Sequence, residues 1–334
     1  MDKQLDKKRF DFNKLLAPMV LIGLIAFFSI FGNNFFSLNY LINVLDASYF
    51  IGFMAIGVTF VIITGGIDLS LGTNMMCAAL LGGMLYRQFG LPLWLCLIIV
   101  VLIGTTFGLF NGLMITKLGL PPFISTLGTM MIAAGLGSIL TNTRAQSYPS
   151  LLEADAWFGR VFLREGNFPT GAVWLLVIFI LAMILLNKTK LGRYTYAIGS
   201  NEEAVRLSGV NASNWKCMIY VISGFFAGVA AIFFAAAYTT ITPGQGQGNE
   251  LQAIAAVVIG GTSLAGGVGS LTGTIIGVFI MSVLRTGLMS MGLPAPYQNF
   301  FTGVVVIAAV WLDIQRTTRE NRVKKEKQIS KKTV

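Results

Sequence analysis

The chain contains no histidine, and only 11% of its 334 residues are charged. The first absence excludes histidine-based triads, imidazole metal sites and histidine proton relays. The second separates the chain from ordinary soluble domains, which carry about 25% charged residues. Cysteine is scarce. Cys77, Cys96 and Cys217 lie scattered in apolar runs with no metal-type spacing, so they read as small buried hydrophobes. No G-x-x-x-x-G-K-[ST] phosphate loop is present, so the chain cannot hydrolyse ATP alone. No cluster of nucleophile, base and metal ligands appears either. The expectation is a protein with no catalytic residue, no metal and no cofactor of its own.

What is present is apolar surface. Hydrophobic residues make up 55% of the chain, with 38 Gly and 25 Phe. The mean hydropathy is +0.74. The most telling stretch is VVIGGTSLAGGVGSLTGTIIG, residues 257–277, which has seven glycines and no charge. Such a run makes a poor soluble core, because glycine weakens helices and buries no side chain. In a bilayer, small residues let helix backbones approach, and hydroxyls hydrogen-bond where water is absent. A break at Gly266-Gly267 is tolerable only where protein or a cavity satisfies the backbone. An echo occurs at ITGGIDLSLG, residues 63–72. The expected fold is therefore all-α, a polytopic transmembrane helical bundle.

Apolar runs cover 15–31, 49–63, 69–86, 93–115, 123–140, 171–186, 218–238, 251–266, 271–288 and 297–312, with a short linking helix possible over 35–47. That is about ten spans, several shorter than the ~20 residues that cross hydrocarbon comfortably. The first run has no clear small-residue cleavage motif and is expected to stay as a membrane helix. Gly104, Gly108 and Gly112 recur at four-residue spacing and predict a smooth strip on one helix face. The domain division is a polar arm over 1–14, a transmembrane domain over 15–312 and a basic tail over 313–334.

The net charge of +10 sits at the ends and in short loops, so it argues against nucleic acid and for membrane orientation. With the N-terminus inside and an even number of spans, both termini are cytoplasmic. The arm at net +2, the 187–216 loop at net +3 and the tail at net +5 then fall inside, while the neutral 141–170 loop falls outside. This satisfies the positive-inside rule.

Several polar residues are candidates for function. Asn201 can cap a helix starting at Glu202, with Glu203 and Ala204 in its first turn and Gly209 at its stop. Val205, with Leu207 or Ser208, would form its less polar face; Arg206 lies in the same short helix. This short helix is either a surface segment or a docking element for a cytoplasmic partner. Asp68, beside Gly65, Gly66 and Ser70, is either a cap for a helix starting near Leu69 or, in a cavity, an ion-coupling group. Asn111, Thr126, Thr129, Gln298 and Asn299 are candidates for lining a solute path, with ordinary interhelical hydrogen bonding the competing role. Arg285 is expected to snorkel or line an outer vestibule, and Glu250 to face outward.

Five stretches carry a resemblance: TGGIDLSLG at 64–72, PPFISTLGTM at 121–130, AIGSNEEAVRLSG at 197–209, ELQAIAAVVIGGTSLAGG at 250–267 and TGTIIG at 272–277, with Asp313 after the last span. Together they closely resemble the membrane permease subunit of bacterial ABC importers for monosaccharides, the ribose/galactose/xylose group. Their wording is nearest to ribose permeases. Ser200 departs from the second glycine common in that family. The resemblance implies a protein of the bacterial cytoplasmic (inner) membrane that forms the path for a monosaccharide. It implies a second permease chain, identical or related, an ABC ATPase subunit and an extracytoplasmic sugar-binding protein as partners, in membrane lipid. It also implies that Asn201–Gly209 belongs to a coupling helix seated in the ATPase. Gly65, Gly66, Asp68, Ser70, Gly260, Gly261, Thr262, Ser263, Gly266 and Gly267 would form a structural or gating motif. A permease for another small polyol or furanose-like signal molecule is the alternative within the family. A secondary transporter or channel is the alternative outside it.

Overall fold

The computed structural model describes residues 12–150 and 153–332. The first residues of the polar arm and the last two of the tail lie outside them. Twelve helices account for nearly all the regular structure among the described residues. In chain order they are α1 (Phe12–Phe31), α2 (Leu38–Ile63), α3 (Leu71–Arg87), α4 (Leu93–Thr116), α5 (Pro122–Leu140), α6 (Trp157–Phe162), α7 (Thr170–Lys188), α8 (Lys190–Leu207), α9 (Ala212–Tyr238), α10 (Asn249–Ile259), α11 (Leu271–Ser290) and α12 (Ala295–Lys332).

Among the described residues, seven helices are long and apolar enough to cross a membrane: α2, α4, α5, α7, α9, α11 and the Pro296–Gln315 part of α12. The chain is thus an all-α polytopic bundle. α2 forms its centre, with 89% of its most apolar window buried inside the protein, whereas the same measure is 6% for Pro296–Gln315. The helices that turn most surface outward, α5, α7 and α12, are also the ones whose exposed residues are mostly large and apolar. In lipid this costs nothing, because the solvent there is as apolar as the side chains.

The smooth strip expected on α4 is a seam against α9. A methyl placed on Gly104 would fall 2.5 Å from Gly228 N, one on Gly108 would fall 2.8 Å from Gly224 Cα, and one on Gly112 would fall 2.9 Å from Cys217 O. The two backbones touch with nothing between them.

Four expectations change. The linking helix at 35–47 and the second span form one helix, α2, capped by Ser37, whose hydroxyl accepts from Tyr40 N–H at 3.4 Å. No proline interrupts 38–63, so nothing stops the helix. The run at 251–266 is not a full span. α10 stops after 11 residues at Gly260, and Gly261, Gly266 and Gly267 take positive φ. The 141–170 segment is a folded cap rather than a plain loop. Its strand β1 (Gln146–Ser147) pairs antiparallel with β2 (Thr240–Ile241). Its Tyr148 is buried, stacks on Phe158 at 5.3 Å and donates to Ala79 O at 2.8 Å. Arg87 pairs with Glu153 at 2.7 Å, and that hydrogen bond holds the exposed Glu153 carboxyl below its usual range. Finally, the helix of the last span runs on through residue 313 to Lys332.

Candidate coupling element and core junction

The 187–216 segment is more ordered than its polarity suggests. α8 is two helices merged across a kink at Asn201, whose φ of −164° and ψ of 97° are non-helical. The Asn201 carboxamide oxygen accepts from Ala204 N–H at 2.9 Å, which is the expected cap. Ser208 closes the far end by donating to Val205 O at 2.7 Å, and Gly209 turns the chain away at φ +82°. Glu202 holds the short helix to α9. Its carboxylate meets Arg206 at 2.6 Å and Lys216 at 2.8 Å. Partial burial raises the Glu202 pKa, but Lys216 and Arg206 outweigh it and leave the carboxyl below its ordinary value.

The faces differ from the expected ones. Val205 is buried against Ile198 and Ala212, with Tyr194 and Trp215 beside them. Leu207 is not on that face: it is 83% exposed, with Asn201, Glu203, Ala204, Arg206, Ser208 and Gly209 also exposed. An outward leucine on a charged hairpin has no folding role here.

The other half of α8 runs straight into the core. Gly199 lies against Ile63 O and Gly267 N, and Gly267 N–H donates to Ile63 O at 2.8 Å. A methyl on Gly266 would fall 2.9 Å from Gly65 N and 3.0 Å from Gly199 O. The two Gly-Gly breaks read separately from the sequence therefore meet, with α8 as the third party. Gly65 and Gly266 have φ of +75° and +85°, a region open to glycine without strain. Ser200 backs onto Gly267, and Tyr196 OH donates to Gly269 O at 2.8 Å. The Gly260–Gly267 turn is pinned further. Gly260 packs on Gly273, Thr262 is buried, Ser263 O accepts from Gly266 N–H at 3.1 Å, and the Asp313 carboxylate accepts from Leu264 N–H at 3.1 Å.

Asp68 is buried two residues before Ser70, the N-cap of α3. The helix expected near Leu69 starts at Leu71, and Asp68 supports its N-cap, Ser70, rather than serving as the cap itself. Its Oδ1 accepts from Ser70 N–H at 3.0 Å and Ser70 Oγ at 2.7 Å, and its Oδ2 from Ser223 Oγ of α9 at 2.9 Å. Asn111 of α4 donates to Ser70 Oγ at 2.9 Å. A chain of hydrogen bonds thus fixes the start of α3 to both seam helices. Gly66 lies just below, against Tyr220 OH.

Glu250 does not face outward. It is buried, accepts from Gly248 N–H at 3.0 Å, and lies on Gly72 in the first turn of α3. α3 and α10 are both short, and their N-terminal turns meet there. Each helix is flanked by irregular chain on its N-terminal side, at 64–70 and at 242–248.

The proposed path residues are not brought together. Asn111 belongs to the Asp68 chain. Thr126 donates to Pro122 O at 2.9 Å, and Thr129 is buried on the same face of α5. Gln298 and Asn299 stand on α12, which packs on α10 and α11. Gln298 donates to Leu293 O at 3.3 Å, and Asn299 is exposed.

The permease components of branched-chain amino acid transport systems, as a family, match residues 40–310. The chain belongs to this permease family. It is a multi-pass transport component of the bacterial cytoplasmic membrane and not an enzyme. It is 38% identical over 304 residues to the ribose import permease protein RbsC of Escherichia coli K12, covering 90% of this chain and 92% of that one. It is 37% identical over 319 residues to RbsC of Bacillus subtilis 168, covering 94% and 98%. The galactose/methyl galactoside import permease protein MglC of Escherichia coli K12 is 34% identical over 316 residues, with 90% and 94% covered. No solved structure matches the chain.

Proposed function

We propose that this permease is the membrane subunit of an ABC importer and forms, with a second permease chain, the path for a monosaccharide, ribose or a related sugar. An extracytoplasmic binding protein delivers the sugar, and a separate ATPase subunit supplies ATP hydrolysis. The near full-length relatives named for ribose and galactose support the sugar class over the amino acids of the family description. The single observation that carries the coupling role is the Gly199–Gly266–Gly65 contact. It joins an exposed hairpin, Asn201–Gly209, to both breaks of the core.

The same contacts support ten spans with both termini cytoplasmic. One set of hydrogen bonds and packing contacts links 63–66, 196–216, 263–269 and 313. Another links 46, 87, 146–164, 238–241 and 285. We read the chain as alternating passes through the seven long helices plus α1, α3 and α10, the last completed by its 242–248 linker, which would put the first set at one end and the second at the other. The first set carries the basic excess and reads as cytoplasmic.

The test is reconstitution in lipid vesicles with the ATPase and binding protein. Ribose uptake that needs all three components, and ATP, is the expected result. Uptake by this chain alone, driven by a proton or sodium gradient, would overturn the reading and return Asp68 to consideration as an ion-coupling group.

A further inference from the structure

Asp46 in α2 and Arg285 in α11 are charged residues inside apolar helices, where bilayer burial is unfavourable. Neither is there to close an ion pair with the other. Asp46 is approached by Arg164 of the outer cap at 3.6 Å, longer than the roughly 2.7–2.9 Å of a charge-assisted hydrogen bond. The Asp46 side chain is 14% exposed, and its Oδ1 is buried with no hydrogen-bond partner among the described residues. Arg285 donates to Tyr238 OH at 3.1 Å and pairs with no carboxylate among the described residues.

All of these groups line one cavity of about 290 Å³ between α2, α9, α11 and the cap, together with Asn43, Thr286 and the ring of Phe50. One wall carries the Asp46 carboxylate, whose Oδ2 lies 3.6 Å from Arg164, and another offers guanidinium donors. An amide, a hydroxyl and an aromatic ring complete it. An inorganic anion would answer the guanidiniums and be repelled by Asp46, and a cation the reverse. A neutral polyhydroxylated molecule answers both, because each hydroxyl donates and accepts. The volume lies just below the range of ligand sites, about 300 to 1,000 Å³, and suits one sugar ring rather than two.

We infer that this outer cavity is a transient binding site for a neutral monosaccharide-sized polyol, with Asp46 accepting from its hydroxyls and Arg285 and Arg164 donating to them. The inference rests on the sugar-importer reading above. It adds a site held within one chain, so a pair of chains would carry two.

The test uses the complete assembly in vesicles. Asn43 is exposed, so Asn43→Cys places a reporter on the cavity, in a Cys217→Ser background that leaves only the buried Cys77 and Cys96. Its labelling by a membrane-impermeant thiol reagent is measured with ribose, with sucrose and with neither, in the absence of binding protein. Ribose should slow labelling several-fold and sucrose should not. Arg285→Gln should abolish the protection. Asn43→Trp, a change at an exposed position, should fill the mouth and lower uptake while binding-protein-stimulated ATP hydrolysis persists. Equal labelling with ribose, sucrose or neither, in vesicles that do take up ribose, overturns this inference alone, as does unchanged uptake by both Arg285→Gln and Asn43→Trp. Absence of uptake by the unmodified assembly removes the sugar reading and this inference with it.

Discussion

The α4–α9 seam and the Gly65–Gly199–Gly266 junction are both built from glycine, and they use it in opposite ways. In the seam, Gly104, Gly108, Gly224 and Gly228 sit in regular helix and let two backbones touch along their length. Nothing there can change without separating the helices. At the junction, Gly65 and Gly266 sit in turns at positive φ, and only a few backbone contacts hold three chain segments together. The junction rests on glycine's freedom to take positive φ without strain, the seam on a continuous van der Waals interface. The seam is a fixed frame; under the proposed coupling role, the junction is where a push from α8 would be taken up by the core.

The largest effect should come from breaking the frame. Gly108→Leu drives a side chain into Gly224 and Tyr220, and overpacking of this kind costs about 1–3 kcal/mol even for smaller insertions. Most of the protein should then be lost as aggregate in detergent size-exclusion chromatography. Full recovery of a monodisperse peak would mean that the seam is looser than described.

Gly266→Ala at the junction should be milder for folding, about 1–2 kcal/mol for the left-handed conformation, with further crowding against Gly65 and Gly199. Its signature should be a separation of activities. The chain should still assemble with the ATPase, but uptake should fall more steeply than ATP hydrolysis. Equal loss of both would make the junction merely structural.

The Glu202 anchor should be smaller again. Its carboxyl titrates below the ordinary value of 4.5 in the folded chain, so its contribution is complete above that value and is lost as pH falls through the lowered one. Glu202→Gln should therefore cost no more than about 1 kcal/mol at neutral pH, since the pair is partly exposed. The variant and the parent should converge in acid in thermal melts read at several pH values. A difference that persists well into acid would point to packing instead of charge.

The smallest change in stability should be that of Leu207→Asp, within about 0.5 kcal/mol for an exposed position. Yet it should abolish co-purification with the ATPase. An unaltered complex would place the docking surface elsewhere.

Much of the frame is legible from spacing. Three glycines four apart name the face of α4, although not α9 as its partner. Asn201, Glu202 and Gly209 mark the short helix, because caps and stops act within a few residues. The opposite faces of Val205 and Leu207 are harder, since they depend on how the hairpin leans on Trp215 and Ala212. The unbroken α2 hides behind Asp46, which looks like a boundary until Arg164 reaches it from the cap. Glu250 reads as exposed because a charge beside a Gly/Gln-rich linker usually is. Its burial depends on the linker descending along α3, where Gly244 N–H meets Met76 Sδ at 3.0 Å. The path residues are scattered for a related reason: a hydroxyl in an apolar run does not say which way its helix faces.

The glycine positions along the seam have a consequence for how such a protein can diversify. A contact made by side chains can be retuned one methyl at a time, but a contact made of bare backbone offers no smaller residue to move to and no room for a larger one. Drift toward a new solute must therefore be absorbed outside the seam. The cap and the outer ends of α2, α9 and α11, where Asn43 and Arg164 already stand exposed, are free to vary while the frame behind them stays the same.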